Sequence, residues 1–248
     1  MPALISATRR CLSWVAAASA VGIRRVTPVT APTFVANNGI TYGLDAATGT
    51  VTALRYNRVS STIVIPNSVV HGDQTFLVTA IAADAFARAG LKVVTIGANV
   101  TDIGHEAFID NRLTTVSLPN SLTHIGDAAF GWNQLSDLDI PASVTVLGGD
   151  AFTYNPLTSL TLHDGLTTIG DWTFAHSKLT AVVIPASVRS IGAGAFKGSP
   201  LASVTFVGAA PAIFGAELPS FDDGVTVYYQ AAGFTSPTWM GYAAVAFS

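Results

Sequence analysis

Histidine and carboxylate side chains are the first candidates for chemistry in this chain, because together they can hold a metal ion or act as acid and base. The histidines are His71, His105, His124, His163 and His176. The last four fall at four different positions of the 22-residue repeat described below, so they do not form one metal site. The sequence contains no HExxH motif, nucleophile elbow or phosphate-binding glycine loop. We therefore predict a protein that is not an enzyme and carries no cofactor.

A row of acidic residues is a second candidate for chemistry. These residues precede the predicted turns and are Asp84, Glu106, Asp127, Asp150 and Asp171. A calcium ladder is one interpretation, since calcium prefers oxygen ligands. However, Asp84 and Asp150 stand one residue out of register with Asp127 and Asp171. The stronger interpretation is that these carboxylates accept hydrogen bonds from free backbone N–H groups at the start of a turn, and we predict no metal.

One repeat position carries aromatic side chains in three successive copies. It reads Asp110, Trp132, Tyr154, His176 and Gly198. The position lies where the chain reverses, two residues past a buried phenylalanine, so its side chains are expected to be at least half exposed. Exposed Trp and Tyr are enriched in binding hot spots. We therefore name Trp132 and Tyr154 as candidate anchors with His176 at the rim; the alternative is a self-stacking ladder that only protects the ridge.

The outward strand positions form another candidate binding surface. Most carry small hydroxyl residues, which are typical of a solvated strand face, and Asp137 and Asp139 are their only charged pair. We include both carboxylates among the candidate binding residues. The asparagines that follow the turn, Asn111, Asn133 and Asn155, are expected to bond the backbone instead.

The element that must position all these residues is a 22-residue repeat, written five times and begun a sixth. Leucine opens each copy, at Leu91, Leu113, Leu135, Leu157, Leu179 and Leu201. This period, with L-x-x-L-x-L character, indicates a solenoid in which each coil buries its apolar face against its neighbours. We predict a β-rich solenoid with short helical turns and a cap at each end.

Within one copy, Leu113, Val116 and Leu118 alternate with polar residues, which predicts a half-buried strand. A second apolar segment follows and ends at Gly126, where we predict a positive φ that turns the chain. The segment "DAAF" then predicts a helical turn. The phenylalanines at this point are expected to form a continuous buried spine: Phe108, Phe130, Phe152, Phe174 and Phe196.

The copies "LTTVSLPNSLTHIGDAAFGWNQ" and "LTAVVIPASVRSIGAGAFKGSP" resemble the BspA-type leucine-rich repeats of bacterial surface proteins. The resemblance covers most of the chain and implies extracellular adhesion and binding of host or matrix proteins. The family motif defines a scaffold and no particular binding residues. Many members carry a cysteine after the phenylalanine, so no thiol chemistry carries over to the residues found there: Asn111, Asn133, Asn155, Ser177 and Ser199.

Composition excludes several classes of partner. Charged residues make up 11% of the 248 residues, below the ~25% of an average protein, and the net charge of −3 offers no basic patch for nucleic acid. No apolar run approaches the ~18 residues needed for a membrane span. Cys11 is the only cysteine and lies in the predicted signal segment, so the mature protein is expected to have none, which excludes disulfides and cysteine-ligated zinc.

The chain divides into four predicted segments. Residues 1–31 are a signal peptide or an N-terminal tail, because Arg9 and Arg10 precede an apolar stretch and a small-residue cleavage site at 18–20; cleavage after Ala31 is the alternative. Residues 32–90 are expected to form the N-terminal cap and irregular first coils. The leucine-rich-repeat array covers 91–207, and 208–248 is predicted to form the C-terminal cap.

These features predict a secreted or cell-surface leucine-rich-repeat protein that mediates adhesion by binding an extracellular protein or glycan. Two other functions stay open. A carbohydrate-binding module needs exposed aromatic residues on a flat face, and a structural surface component associates with its own copies.

Overall fold

The computed structural model describes residues 32–214, 219–230 and 238–247. The predicted signal segment and Phe234 of the predicted cap lie outside these described residues. The first six strands are β1 (Thr33–Val35), β2 (Ile40–Asp45), β3 (Thr50–Tyr56), β4 (Thr62–Ile65), β5 (Ser68–His71) and β6 (Gln74–Ile81).

From there the chain mostly alternates long and short strands, one pair for each coil. They are β7 (Val93–Ile96), β8 (Asp102–Ile103), β9 (Thr115–Ser117), β10 (His124–Ile125), β11 (Asp137–Ile140), β12 (Val146–Leu147), β13 (Ser159–Leu162), β14 (Thr168–Ile169), β15 (Ala181–Ile184), β16 (Ser190–Ile191), β17 (Ser203–Phe206), β18 (Ile213–Phe214), β19 (Thr226–Tyr229), β20 (Thr238–Trp239) and β21 (Tyr242–Ala246).

The long strands pair in parallel along one side of the stack, which we call the strand side. They form three separate groups: β4-β7-β9, β11-β13 and β15-β17-β19-β21, with β20 antiparallel to β21. The register equals one repeat, so Leu138 lies opposite Leu160 and Val182 opposite Val204. In the described residues no strand pairing joins β9 to β11 or β13 to β15. The strand side is therefore interrupted twice.

The short strands form a second sheet that runs without interruption through β6-β8-β10-β12-β14-β16-β18. At its N-terminal end the antiparallel hairpin β2–β3 joins the sheet through the parallel pairing of β3 with β6. The buried side chains of this hairpin cover the first coil. The end of a stack needs such a cover, because it otherwise exposes core and strand edge.

The third side, which we call the turn side, consists of reverse turns, and the predicted helical turns are wrong: no helix occurs among the described residues. Alternate amides donate to the coil that follows, as Phe130 N does to Ala151 O at 2.8 Å and Phe152 N to Thr173 O at 2.9 Å. A helical turn would use these amides inside its own coil. Bonding between coils instead makes this side a third ladder.

The prediction that glycine turns the chain with a positive φ is also wrong. None of the five repeat glycines, Gly104, Gly126, Gly148, Gly170 and Gly192, has a positive φ. They are needed for space, since a Cβ on Gly126 would lie 2.8 Å from the carbonyl carbon of Gly104. The left-handed backbone lies two residues further on, for example at Ala128 with a φ of 54°.

The predicted phenylalanine spine is confirmed. Ring centroids of successive coils lie from 5.0 Å apart, between Phe86 and Phe108, to 5.8 Å apart, between Phe152 and Phe174. The row also extends into both ends of the stack. Tyr56 packs against Phe86 at one end, and Phe196 is followed by Phe221 and Tyr242 at the other.

Asparagines beside the spine bond the backbone of two coils, as expected. Asn155 is fully buried, and its amide donates to Phe130 O at 2.9 Å and to Phe152 O at 3.0 Å. Its side-chain oxygen accepts from Leu135 N at 3.0 Å. Asn111 and Asn133 make the same set of contacts. These residues therefore join the turn side to the start of the long strands.

The stack continues beyond the repeats that the sequence makes obvious. Within the predicted C-terminal cap, β19 pairs in parallel with β17. It is not the last strand, because β21 pairs with it in turn. The hydroxyl of Tyr242 at the start of β21 donates to Phe221 O at 2.8 Å, which fixes this end of the stack to the spine.

Candidate functional site

Trp132, Tyr154 and His176 lie one above another on the turn side, and we call them the aromatic ridge. Ring centroids are 5.3 Å apart between Trp132 and Tyr154, and 4.2 Å apart between Tyr154 and His176, with interplanar angles of 17° and 20°. Trp132 is 43% exposed and Tyr154 48% exposed, and His176 is exposed as well. The stacking and the partial exposure expected from the repeat position are both present.

The backbone beneath the ridge is left-handed at every coil. Trp132 and Tyr154 each have a φ of 53°, and His176 has a φ of 58°. This conformation costs a residue with a side chain roughly 1–2 kcal/mol, and glycine and asparagine adopt it with least strain. Gly198 ends the row, because a Cβ there would lie 2.5 Å from Nδ1 of His176. The missing side chain lets the imidazole lie over the next coil.

The stacking determines which part of each ring a ligand can reach. Tyr154 lies between Trp132 and His176, so both of its faces are covered and only its edge and hydroxyl point outward. Trp132 has a ring neighbour on one face, while the preceding coil offers Asp110 at the same position. The ridge therefore presents ring edges and one tryptophan face.

Asp137 and Asp139 lie on a different surface, the strand side. Both are exposed on β11, where they alternate with the buried residues Leu138 and Ile140. Asp139 Oδ1 lies 2.8 Å from Nε2 of His163, which belongs to the next coil. The structure thus divides the five predicted site residues into two sets: three on the aromatic ridge and two on the strand side.

His163 is the functional candidate that the sequence interpretation missed. It stands 22 residues after Pro141 and 22 before Pro185, at the position where other coils end the long strand with proline. The substitution places an imidazole next to an aspartate of the neighbouring coil. The replacement of the repeated proline by histidine is the sequence signal that could have identified His163.

A groove lies beside this pair, at the interruption between β9 and β11. Its volume is about 360 Å³, and its lining includes Val116, Leu118, Pro141, Asp139 and His163. Val116 and its equivalent Leu160, each next to an interruption, are only partly buried. The other equivalent residues, Val94, Leu138, Val182 and Val204, are at most 4% exposed. The missing strand pairing therefore opens part of the core to solvent.

Two residues of the acidic row, Asp127 and Asp171, bond the backbone of the neighbouring coil. Asp127 Oδ1 accepts from Gly149 N at 2.8 Å, and Asp171 Oδ1 accepts from Ala193 N at 2.7 Å. Each carboxylate thus caps the coil after its own, where we had expected it to cap its own turn. Burial, with Asp127 and Asp171 nearby, raises the pKa of Asp150 to about 6.

Two further features bear on chemistry. Among residues 32–214, 219–230 and 238–247, no three His, Cys, Asp or Glu side chains form a group suited to a metal ion. In the same part of the chain, no helix is long and apolar enough to span a membrane.

Comparison with known families and structures decides what kind of repeat this is. The family model for the BspA type leucine rich repeat region matches residues 79–203 in six copies, which is half of the chain. The chain belongs to the BspA-type leucine-rich-repeat family. In this BspA-type chain, the matched region contains the aromatic ridge, both aspartates and the groove.

Solved structures of leucine-rich-repeat proteins are similar to this BspA-type chain. The pneumococcal vaccine antigen PcpA is 25% identical, with a TM-score of 0.61 over 71% of this chain and 50% of its own. This chain thus spans half the length of that structure. A leucine-rich cell surface protein from Faecalibacterium prausnitzii is 22% identical, with a TM-score of 0.57 over 90% of this chain and 78% of its own. The comparison with curated proteins found no match.

Proposed function

We propose that this protein is a non-catalytic, capped solenoid, secreted or displayed at the cell surface, that binds an extracellular protein through the aromatic ridge. Membership of the BspA-type family supports an interaction scaffold. The cell-surface description of the F. prausnitzii structure supports the location. Neither comparison names a ligand for this chain.

The observation that carries the proposal is the half-exposed stack of Trp132, Tyr154 and His176. Three large side chains occupy a left-handed position that glycine or asparagine would fill with less strain. Stacking of each ring pair stabilises the fold by about 0.5–1.5 kcal/mol, which is close to the strain of one left-handed residue. The stability of the fold therefore does not explain why aromatic residues occupy this position. Rigid, exposed aromatic surface is, in contrast, what a binding hot spot needs.

The geometry favours a protein partner over a glycan. A sugar ring stacks on the open face of an aromatic residue, but Tyr154 is covered on both faces and Trp132 on one. Ring edges, a tyrosine hydroxyl and an imidazole suit the mixed apolar and polar contacts of a protein interface.

The test is an array of matrix proteins and glycans, probed with the wild-type chain and with the Trp132→Asn, Tyr154→Asn double variant. Asparagine keeps the left-handed backbone while removing both rings. A matched control, Tyr228→Thr, removes an exposed tyrosine from the strand side. We expect a matrix-protein signal that only the double variant loses, with melting temperatures unchanged.

Three results would contradict this proposal. One is a partner that both variants retain, and another is binding confined to glycans. The third is a chain that elutes as a large assembly on size-exclusion chromatography and binds no array component, since that behaviour belongs to a self-associating structural protein.

A further inference from the structure

We propose that the groove between β9 and β11 binds a basic, partly apolar segment of a partner protein, with its lysine or arginine side chains on Asp137 and Asp139. This inference rests on the proposed protein-binding function and names the chemistry of the partner. It concerns a second surface, on the strand side, that can be tested apart from the aromatic ridge.

The groove supplies the apolar half of the site. Its wall contains Val116, which is partly exposed because β9 and β11 do not pair, together with Leu118 and Pro141. A volume of about 360 Å³ is within the range of pockets that hold small ligands, so it has room for an aliphatic side chain. Burial of a Leu or Val side chain there would stabilise a complex, since this apolar surface now faces water.

The two aspartates supply the charged half. They are two residues apart on one strand, so their side chains point to the same side at a spacing of roughly 7 Å. An extended partner presents its own residues i and i+2 at the same spacing, which matches a Lys-x-Lys or Arg-x-Arg segment. His163 holds one oxygen of Asp139 at 2.8 Å, and the carboxylate still has a side-chain exposure of 69%. The histidine thus orients this carboxylate without covering it.

The charge around the groove selects a basic partner. Between Leu113 and Ser177 the sequence contains no lysine or arginine. Its acidic residues on the strand side are Asp137 and Asp139 on β11 and Asp164 just after β13, whereas the other three aspartates of this stretch belong to the turn side. No cation of these coils competes for the two carboxylates. The negative potential of these carboxylates attracts a basic segment and repels acidic chains such as nucleic acid or sulfated glycans.

The experiment measures fluorescence anisotropy of a labelled Gly-Ser-Lys-Ser-Lys-Ser-Leu-Gly-Ser peptide, whose lysines and leucine share one face when it is extended, titrated with the full chain. The same peptide with glutamate in place of lysine is the negative probe. We expect only the lysine peptide to bind, and to bind more weakly at about 300 mM than at about 50 mM salt. Asp137→Asn with Asp139→Asn should weaken binding about tenfold or more.

Two variants separate the groove from general electrostatics. Asp73→Asn with Asp223→Asn removes the same charge from exposed positions elsewhere and should leave affinity within about twofold. Ser117→Trp fills the groove from an exposed strand position and should abolish binding without lowering the melting temperature.

Equal weakening by both aspartate pairs, binding that survives Ser117→Trp, or a lysine peptide that does not bind would each overturn the inference. A matrix-protein partner found on the array would still support the aromatic ridge in that case. Conversely, peptide binding that the ridge variant retains, without any array partner, would support the groove and count against the ridge.

Discussion

The turn side and the strand side of the same coils are held together differently. On the turn side the amides of Phe108, Phe130 and Phe152 each donate to the coil that follows, at 2.8–2.9 Å. The phenylalanine rings and the asparagine side chains add to this ladder. On the strand side the pairing stops between β9 and β11 and again between β13 and β15, among the described residues.

Within one repeat, the buried groups of the turn side hold neighbouring coils together, whereas the exposed positions vary from coil to coil. The turn side combines rings, amides and buried asparagines, so a change there affects several coils. Outward residues of the long strands mostly face solvent, and they vary from Thr115 and Ser117 on β9 to Asp137 and Asp139 on β11. The comparison predicts that stability depends on the buried groups of the turn side and that the exposed positions of the strand side tolerate substitution.

The largest effect should follow loss of a ring from the spine. Phe152→Ala leaves a cavity beside Phe130 and Phe174, whose centroids lie 5.3 and 5.8 Å from that of Phe152. We expect the free energy of unfolding to fall by about 3–5 kcal/mol, measured by urea denaturation. Phe152→Leu should cost clearly less, and equal midpoints for wild type and Phe152→Ala would show that the spine does not hold the stack.

Loss of a buried asparagine should be the next largest effect. Asn155→Ala leaves the carbonyl of Phe152 and the amide of Leu135 without their side-chain partner. The carbonyl of Phe130 loses one of two donors and keeps the amide of Asn133. The expected loss is about 3 kcal/mol, since each unpaired buried group costs about 1–3 kcal/mol. Asn155→Ser is the matched control, because serine stands at this position in the later coils as Ser177 and Ser199. A serine variant as unstable as the alanine variant would contradict the bonding role.

Substitution of Asp150 is expected to raise the free energy of unfolding, unlike the two substitutions above. Its folded-state pKa of about 6 lies above the ordinary value of 3.8, so the folded protein binds the proton more tightly, and stability falls as pH rises from about 4 to 6. At pH 7.5 the buried charge is present, and Asp150→Asn should raise the free energy of unfolding by about 1 kcal/mol. The gain should vanish near pH 4. Equal gains at both pH values would exclude the carboxylate charge as the cause.

The smallest effect should come from the strand side. His163→Pro restores the residue that other coils carry at this position and removes only the partner of Asp139. We expect a change in unfolding free energy within about 0.5 kcal/mol. A loss as large as that of Asn155→Ala would overturn the contrast between the two sides.

The repeat period made much of the fold predictable, because identical spacing of Leu113, Phe130 and their equivalents places identical side chains in register. The period does not distinguish bonding within a coil from bonding between coils. For this reason the sequence predicts a helical turn at "DAAF" and a positive φ at Gly126, whereas contacts between coils determine the conformation of both. The end of the stack was harder, since Phe221 follows Phe196 by 25 residues and breaks the step.

The aromatic ridge could be predicted from the sequence because it occupies one repeat position. The contacts between different repeat positions could not be predicted in this way. Trp132, Tyr154 and His176 share one position, so their stacking followed from the spacing. The contact between His163 and Asp139 joins different positions of neighbouring coils, and the groove arises from pairing that is absent between β9 and β11. No spacing in the sequence reports a missing strand pair.

Hydrogen exchange at equivalent amides tests the contrast between the two sides most directly. Thr158 N donates to Ser136 O of the preceding coil. By strand alternation the amide of Leu160 therefore points towards β11, and that of Leu138 towards the gap beside β9. We predict that Leu138 exchanges at least about tenfold faster than Leu160, while Phe130 and Phe152 exchange equally slowly. Equal protection of Leu138 and Leu160 would contradict the interrupted strand side.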